Sequence, residues 1–367
     1  MNENNSNNSK WHKMMSEMLA MVKQERATDL HLSVGVRPHI RVDGNIKPTA
    51  LPILTKEECE NMMFSIMTKE QIRKYKQKKV LDFSYGEKQL GRFRINIYKQ
   101  RNSLAAAIRR LPIKIPTIEE LGLPAEPIKN FCNMTNGMVI VSGPVGTGKT
   151  TTLASMIQYI NKSRPCHIIT IEDPIEYVHN DIKSMVHQRE VGSDTISFAS
   201  ALKYGLREDP DVVLVGEMRD LETISTAVTI AETGHLVLAT LHTGSADESI
   251  RRIVDVFPAD QQSQIITQLS FILNGVVNQV LLPRKEETGR ILATEIMITV
   301  PAIQSLIREN KIEHIYSHIQ MGSKYGMKTM NQSLFELIKQ GKVDKEVAVP
   351  RSTRVEELKK MLQQEAL

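Results

Sequence analysis

Gly143-Pro144-Val145-Gly146-Thr147-Gly148-Lys149-Thr150 matches G-x-x-x-x-G-K-[ST] at every defined position, and what flanks it decides the fold. The apolar run 138–141 before it has the character of a buried strand, and 151–160 after it has the character of a helix. Glycines in such a strand–loop–helix junction let backbone N–H groups turn inward around phosphate oxygens, and the helix N-terminus adds the positive end of its dipole. Lys149 adds a full charge, and the Thr150 hydroxyl can ligate Mg²⁺. All eight residues, with Thr151 in the first helical turn, are therefore candidate nucleotide-binding residues, and Lys149 is a catalytic candidate as well. The alternative reading is a glycine-rich turn that binds no nucleotide.

Working outward, the apolar runs 138–141, 167–171, 212–215 and 236–241 alternate with helix-length segments. Continuous apolar runs of that length suit strands buried on both faces of a parallel sheet, so the fold class is α/β. Beyond about residue 300 the chain reads as helices, at 301–308 and 330–339. Upstream, 29–112 has a different texture of short β-rich runs (30–33, 39–42, 93–98) broken by turn signals at Asp43-Gly44 and Tyr85-Gly86. Met15, Met18, Leu19 and Val22 recur at helical spacing ahead of it. The expected domains are a polar, disordered tail over 1–10, a smaller α+β domain over 11–111, a linker over 112–118 bracketed by Pro112 and Pro116, and a P-loop domain over 119–367.

With 367 residues and 41% hydrophobic content the chain can bury two cores. The N-terminus lacks the apolar stretch of a signal peptide. The most apolar segment, 271–282, is interrupted by Asn274, Asn278 and Gln279 and is too short to span a bilayer. Cys59, Cys132 and Cys166 are far apart and form no metal-binding pair. A net charge of +5 leaves acidic partners open without selecting one. The basic residues do cluster, at Arg92, Arg94, Lys99, Arg101, Arg109 and Arg110, whereas Arg290 reads as plain surface.

In an open parallel sheet ligands bind beyond the carboxyl ends of the strands. Glu172-Asp173-Pro174-Ile175-Glu176 follows one apolar run, and Gly216-Glu217 follows the next, at the position where P-loop enzymes commonly hold Mg²⁺ or orient the attacking water. Thr150 and Glu217 are thus the metal candidates. Asp211 precedes its strand and should point away. His235 and His242 flank the run 236–241. A solvated loop cap for the acidic cluster, and ordinary polar roles for the histidines, are the competing readings.

Four ordered boxes carry a resemblance: Gly143 to Thr150, Ile171-Glu-Asp-Pro-Ile-Glu176, Asp209-Pro-Asp-Val-Val-Leu-Val-Gly-Glu-Met-Arg-Asp220 and Gly234-His-Leu-Val-Leu-Ala-Thr-Leu-His-Thr243. They resemble the Walker A, Asp, Walker B and His boxes of the type II/IV secretion ATPases, and within them the pilus-retraction branch. The likeness extends from Ala27-Thr-Asp-Leu-His-Leu32 through Gly91-Arg-Phe-Arg-Ile-Asn96 to Gly326-Met-Lys-Thr-Met330. It implies a RecA-like domain behind a PAS-like N-terminal domain, a homohexameric ring, and Mg²⁺-dependent ATP hydrolysis powering retraction of type IV pili in twitching motility. It also implies catalytic roles for Glu176 and Glu217, nucleotide sensing or subunit bridging for His235 and His242, and phosphate contacts from Arg94 and Arg109. The location implied is cytoplasmic, peripheral at the inner face of the membrane through a pilus platform protein, with no span of its own and no nucleic acid expected. The chain departs from the branch at Ala302-Ile-Gln-Ser-Leu-Ile-Arg308, where Gln304 and Ser305 replace an arginine and an asparagine. That departure leaves the ATPase chemistry untouched and bears on coupling. An accessory ATPase of the superfamily, a RecA-like nucleic-acid motor and a nucleotide-binding assembly protein without turnover stay open as alternatives.

Overall fold

The computed structural model describes residues 2–365 apart from Asp43, Lys88, Ile113, Glu287 and Thr288, with side chains described from Ser9 to Gln364. Its contacts divide the chain into two units, Met1–Lys114 with Pro174–Tyr177, and Ile115–Asp173 with Val178–Leu367.

The first unit holds α1 (Asn2–Gln24), β1 (Asp29–Ser33), β2 (His39–Val42), β3 (Asn45–Pro48), α2 (Lys56–Ser65), α3 (Lys69–Lys78), β4 (Val80–Glu87), β5 (Gly91–Gln100) and β6 (Ser103–Arg110). The strands form one antiparallel sheet in the order β3-β2-β1-β6-β5-β4. Alternation along each strand sends Leu30, Leu32, Phe93, Ile95 and Ile97 to a face covered by Met15, Met18, Leu19 and Val22 of α1 and by Cys59, Met62 and Met63 of α2. The methionine stripe is core. Capping boxes at Thr55/Glu58 and Thr68/Gln71 start α2 and α3.

Two local expectations need correction here. The helix α1 begins at Asn2, inside the polar stretch read as a tail, because extending a helix already anchored by a buried stripe costs less than nucleating one. Tyr85-Gly86 is not a turn but lies within β4, where Gly86 pairs with Arg92 and the strand continues to Glu87. Asp43 of the other turn signal lies outside the described residues, while Gly44 takes φ 83° between β2 and β3.

The second unit begins with α4 (Ala125–Asn133), β7 (Gly137–Ser142), α5 (Lys149–Ser163), β8 (His167–Glu172), β9 (Met185–Glu190) and α6 (Phe198–Gly205). It continues with β10 (Val212–Val215), α7 (Leu221–Glu232), β11 (Leu236–Leu241), α8 (Ala246–Asp255), α9 (Ala259–Ile272), β12 (Leu273–Pro283) and β13 (Arg290–Ile298). The helices α10 (Pro301–Arg308), α11 (Ile315–Met321), α12 (Met330–Lys339), α13 (Lys345–Ala348) and α14 (Val355–Glu365) close the chain. The sheet order is β13-β12-β7-β11-β10-β8-β9, parallel except for β13, so β7 lies well inside it and its end opens onto the phosphate-loop motif. Apolar cores pack on both faces, which is why the central strands are uniformly buried. A further core joins Met330, Leu334 and Leu358 to Leu282 and Ala293 of the β12–β13 edge. No described helix is long and apolar enough to cross a membrane.

Candidate functional site

Gly143, Gly146 and Gly148 take φ values of 141°, 79° and 88°, so the segment after β7 turns in a way side-chain-bearing residues resist. The crowding is greatest at Gly143, where a Cβ would meet the Gln279 carbonyl oxygen at 2.4 Å and Thr147 Oγ1 at 2.9 Å. Gly148 is the N-cap of α5 and brings no side chain to cap it, and a helix start of this kind presents backbone amides to an anion. Pro144, Val145, Gly146 and Thr150 are exposed, Thr151 is half-buried, and Thr147 is buried with its hydroxyl donating to the Pro144 carbonyl at 2.9 Å.

Lys149 is buried, and its ammonium donates to the carbonyls of Gly143 at 2.7 Å and Pro144 at 2.9 Å. Burial lowers its pKa below the ordinary lysine value, with Glu217 acting in the opposite direction. Its third neighbour is His242 Nδ1 at 3.4 Å, and the other ring nitrogen, Nε2, is 3.0 Å from Glu217 Oε1. Burial, and then the charge of Lys149, lower the His242 pKa. These neighbours assign the tautomer. An ammonium can only donate, so Nδ1 accepts and the proton sits on Nε2, which donates to the carboxylate. The same Glu217 oxygen pairs with Arg219 Nε, whose pKa that hydrogen bond raises.

The strand ends bring these groups together. After β10, Gly216 approaches β8 so closely that a Cβ would lie 2.9 Å from the Ile171 carbonyl. Thr240 of β11 donates through Oγ1 to the Gly216 carbonyl at 2.5 Å, and Met218 N–H donates to the Thr240 carbonyl at 3.1 Å. Glu217 is thus fixed between two backbone anchors, one strand away from His242.

Four expectations fare differently. His235 does not join this cluster. It precedes β11, its carbonyl accepts from Gly137 N–H at 3.1 Å, and its ring lies against the Ile230 carbonyl and Thr233 Oγ1. Six strand residues at about 3.3 Å each separate it from the end that carries His242. Glu176 lies in Pro174–Tyr177, the short segment that groups with the first unit, whereas Glu172 at the end of β8 turns sideways to accept from Thr170 and Gln188. Arg94 and Arg109 are directly paired across β5 and β6 in the first unit, on the polar face of its sheet, where Arg109 Nε donates to Asp29 Oδ1 at 2.9 Å. Arg290 is not plain surface: its Nη1 donates to the Gly146 carbonyl at 3.3 Å.

The chain matches the family described as Type II/IV secretion system protein over residues 4–359. It belongs to that family. Among its relatives, the type IV pilus retraction ATPase PilT of Pseudomonas aeruginosa is 46% identical over 334 residues, 91% of this chain and 96% of that one. The type IV pilus ATPase PilU of the same organism is 38% identical over 346 residues, 94% of this chain and 90% of that one. A crystal structure of the pilus retraction motor PilT with bound ADP superposes with a TM-score of 0.87 at 48% identity, covering 93% of this chain and 98% of that one. The Type II/IV secretion family assignment makes the chain an ATPase.

Two residues that belong to no motif hold the loop and its neighbouring strand end in place. Gln279 of β12 donates through Nε2 to the Thr147 carbonyl at 2.8 Å, and Asn278 donates through Nδ2 to Ser142 Oγ at 2.9 Å and to the Thr243 carbonyl at 2.8 Å. The available signal was two adjacent amides inside an otherwise apolar run.

Proposed function

We propose that this chain is the Mg²⁺-dependent ATPase motor of type IV pilus retraction, working as a homohexamer against a platform protein of the inner membrane, from the cytoplasmic side. The observation that carries the proposal is the Lys149–His242–Glu217 cluster at the mouth of a phosphate loop, in a chain 46% identical to PilT along nearly its whole length.

The residues fit a nucleoside triphosphate: the positive-φ glycines and the start of α5 form a cradle of amides, and Lys149 brings the compensating charge. Mg²⁺ keeps most of its ligands as phosphate and water oxygens, so the exposed Thr150 hydroxyl suffices as a direct ligand on the protein side, with Glu217 reaching the ion through one of its waters. When bound, the metal would neutralise charge on the phosphate oxygens. The Glu217 carboxylate, oriented by His242 and Arg219, takes the proton of the attacking water as its oxygen bonds to the γ-phosphorus and the bond to ADP breaks. We assign Glu176 to the same water, Arg94 and Arg109 to phosphate charge, and the first unit to a PAS-like domain. His235 is left with a role at a subunit boundary. The test is Mg²⁺-dependent ATP hydrolysis by the purified ring together with the pilus phenotype of a deletion strain, where loss of retraction is expected and normal retraction would contradict the proposal.

A second reading has its own support, the 38% identity to PilU together with Gln304 and Ser305 on α10, half-buried beside the buried Ile303 and Ile307. On that reading the chain assists a retraction motor. Expressing it alone in a strain without other retraction ATPases separates the two.

A further inference from the structure

Ser142, Asn278 and Glu295 form one cross-strand row on β7, β12 and β13, and all three are at most 1% exposed. The next row on the same face, two residues along, is Ile140, Val276 and Met297, entirely apolar. Packing therefore does not require polar groups at this level, and burying them is costly unless they are well paired. Asn278 Nδ2 reaches the Thr243 carbonyl as well as Ser142 Oγ, while its Oδ1 has no hydrogen-bond partner. Glu295 accepts from Ala246 N–H at 2.8 Å through Oε1 and from Met330 N–H at 3.4 Å through Oε2. The two side chains thus grip both ends of the segment 243–246, which begins immediately after His242, and Thr243 is further tied to Ser249 by a 2.6 Å hydroxyl contact.

We propose that Asn278 and Glu295 are positioning residues of the ATPase, which hold the turn 243–246 and thereby set His242 between Lys149 and Glu217. The proposal rests on the assignment of those three residues to the phosphate site. Gln279 holds the phosphate loop independently at Thr147, so the row should govern the chemical step more than nucleotide binding. Through Met330, the first residue of α12, the same row also reaches the C-terminal helices.

The experiment uses the full chain and compares kcat, KM for Mg·ATP and Tm in the parent, Lys149→Ala, Asn278→Leu and Glu295→Gln, with each row substitution repeated in a His242→Ala background. Asn278→Leu keeps the branching and the number of heavy atoms and removes both donors, at the cost of a somewhat larger side chain. Glu295→Gln keeps one acceptor oxygen and turns an NH₂ group towards the other amide, which makes it the gentler variant should Asn278→Leu fail to fold. Expected are kcat losses on the order of tenfold to a hundredfold, because a displacement of about 1 Å suffices for that, with KM changed by less than about threefold. In the His242→Ala background the same substitutions should change kcat by less than about twofold, since their effect passes through that ring. Parent kcat in folded row variants alongside an inactive Lys149→Ala would overturn the positioning claim alone. So would an undiminished loss in the His242→Ala background. A Lys149→Ala chain with parent turnover would overturn the site assignment and the claim built on it.

Discussion

His242 Nε2 lies 3.0 Å from Glu217 Oε1, and because Lys149 faces the other ring nitrogen this contact is a hydrogen bond from a neutral imidazole to the carboxylate. The ring is a spacer that keeps an ammonium and a carboxylate apart yet mutually oriented. His242→Ala should lower kcat by about tenfold to a hundredfold with little change in ATP affinity, as loss of an orienting group does. Steady-state kinetics beside equilibrium ATP binding checks this, and equal losses in both would assign His242 to binding instead.

Gly143 and Gly146 both have positive φ, but only Gly143 is crowded, with the Gln279 carbonyl 2.4 Å from where a Cβ would sit and nothing within 4 Å at Gly146. Gly143→Ala should therefore cost more stability than Gly146→Ala, by roughly 1–3 kcal/mol, and weaken ATP binding by distorting the amide cradle. Denaturation and ATP titration of the two variants in parallel decide it, and equal effects would show that the close approach to β12 is unimportant.

Glu295 is fully buried, and desolvation pushes its pKa up from 4.5 to about 7, against the lowering effect of the two helix amides. A raised carboxylate pKa means the folded state binds more protons than the unfolded one, so this contribution to stability is complete below pH 4.5 and lost as pH rises through about 7. Glu295→Gln removes that titration. Stability measured from pH 4.5 to about pH 8 should move in the variant's favour relative to the parent by on the order of 3 kcal/mol. The buried His179, whose pKa burial lowers to about 4, titrates in both proteins and cancels in the difference. Parallel stability curves would contradict the assignment of Glu295 as a neutral-pH group.

The readable parts of this protein are those that chemistry keeps contiguous. The phosphate loop shows itself in eight residues, and Glu217 and His242 follow from asking which side chains close the carboxyl ends of apolar runs. Asn278, Gln279 and Glu295 act through strands placed more than a hundred residues after the loop, and in the sequence they are only polar interruptions. The strands β12 and β13 were missed for the same reason. The separation of His235 from His242 was legible by the rule that set Asp211 aside: both precede their strands, and Asp211 indeed sits at that far end, where its carboxylate accepts from His167 N–H at 2.8 Å.

Arg109 is bound to Asp29, whose pKa Thr28 and Arg109 lower despite its burial, but its side chain is 66% exposed. Its ion pair should thus contribute less than about 1 kcal/mol to stability. If Arg94 and Arg109 serve phosphate charge, replacing either with alanine should cut kcat by about tenfold or more while Tm barely moves. Lys359→Ala on α14 is a suitable surface control, since Arg290 touches the phosphate loop. Parent kcat in both arginine variants would leave that row of the first unit's sheet with another task.

The most direct test of the account is ATP turnover by Glu217→Gln in protein shown to bind ATP. The amide keeps the size of the side chain and contacts to His242 while losing the charge and basicity, so ATP affinity near that of the parent is predicted with kcat reduced by about a hundredfold or more. Turnover at the parent rate would mean that hydrolysis is not performed at the Lys149–His242–Glu217 cluster.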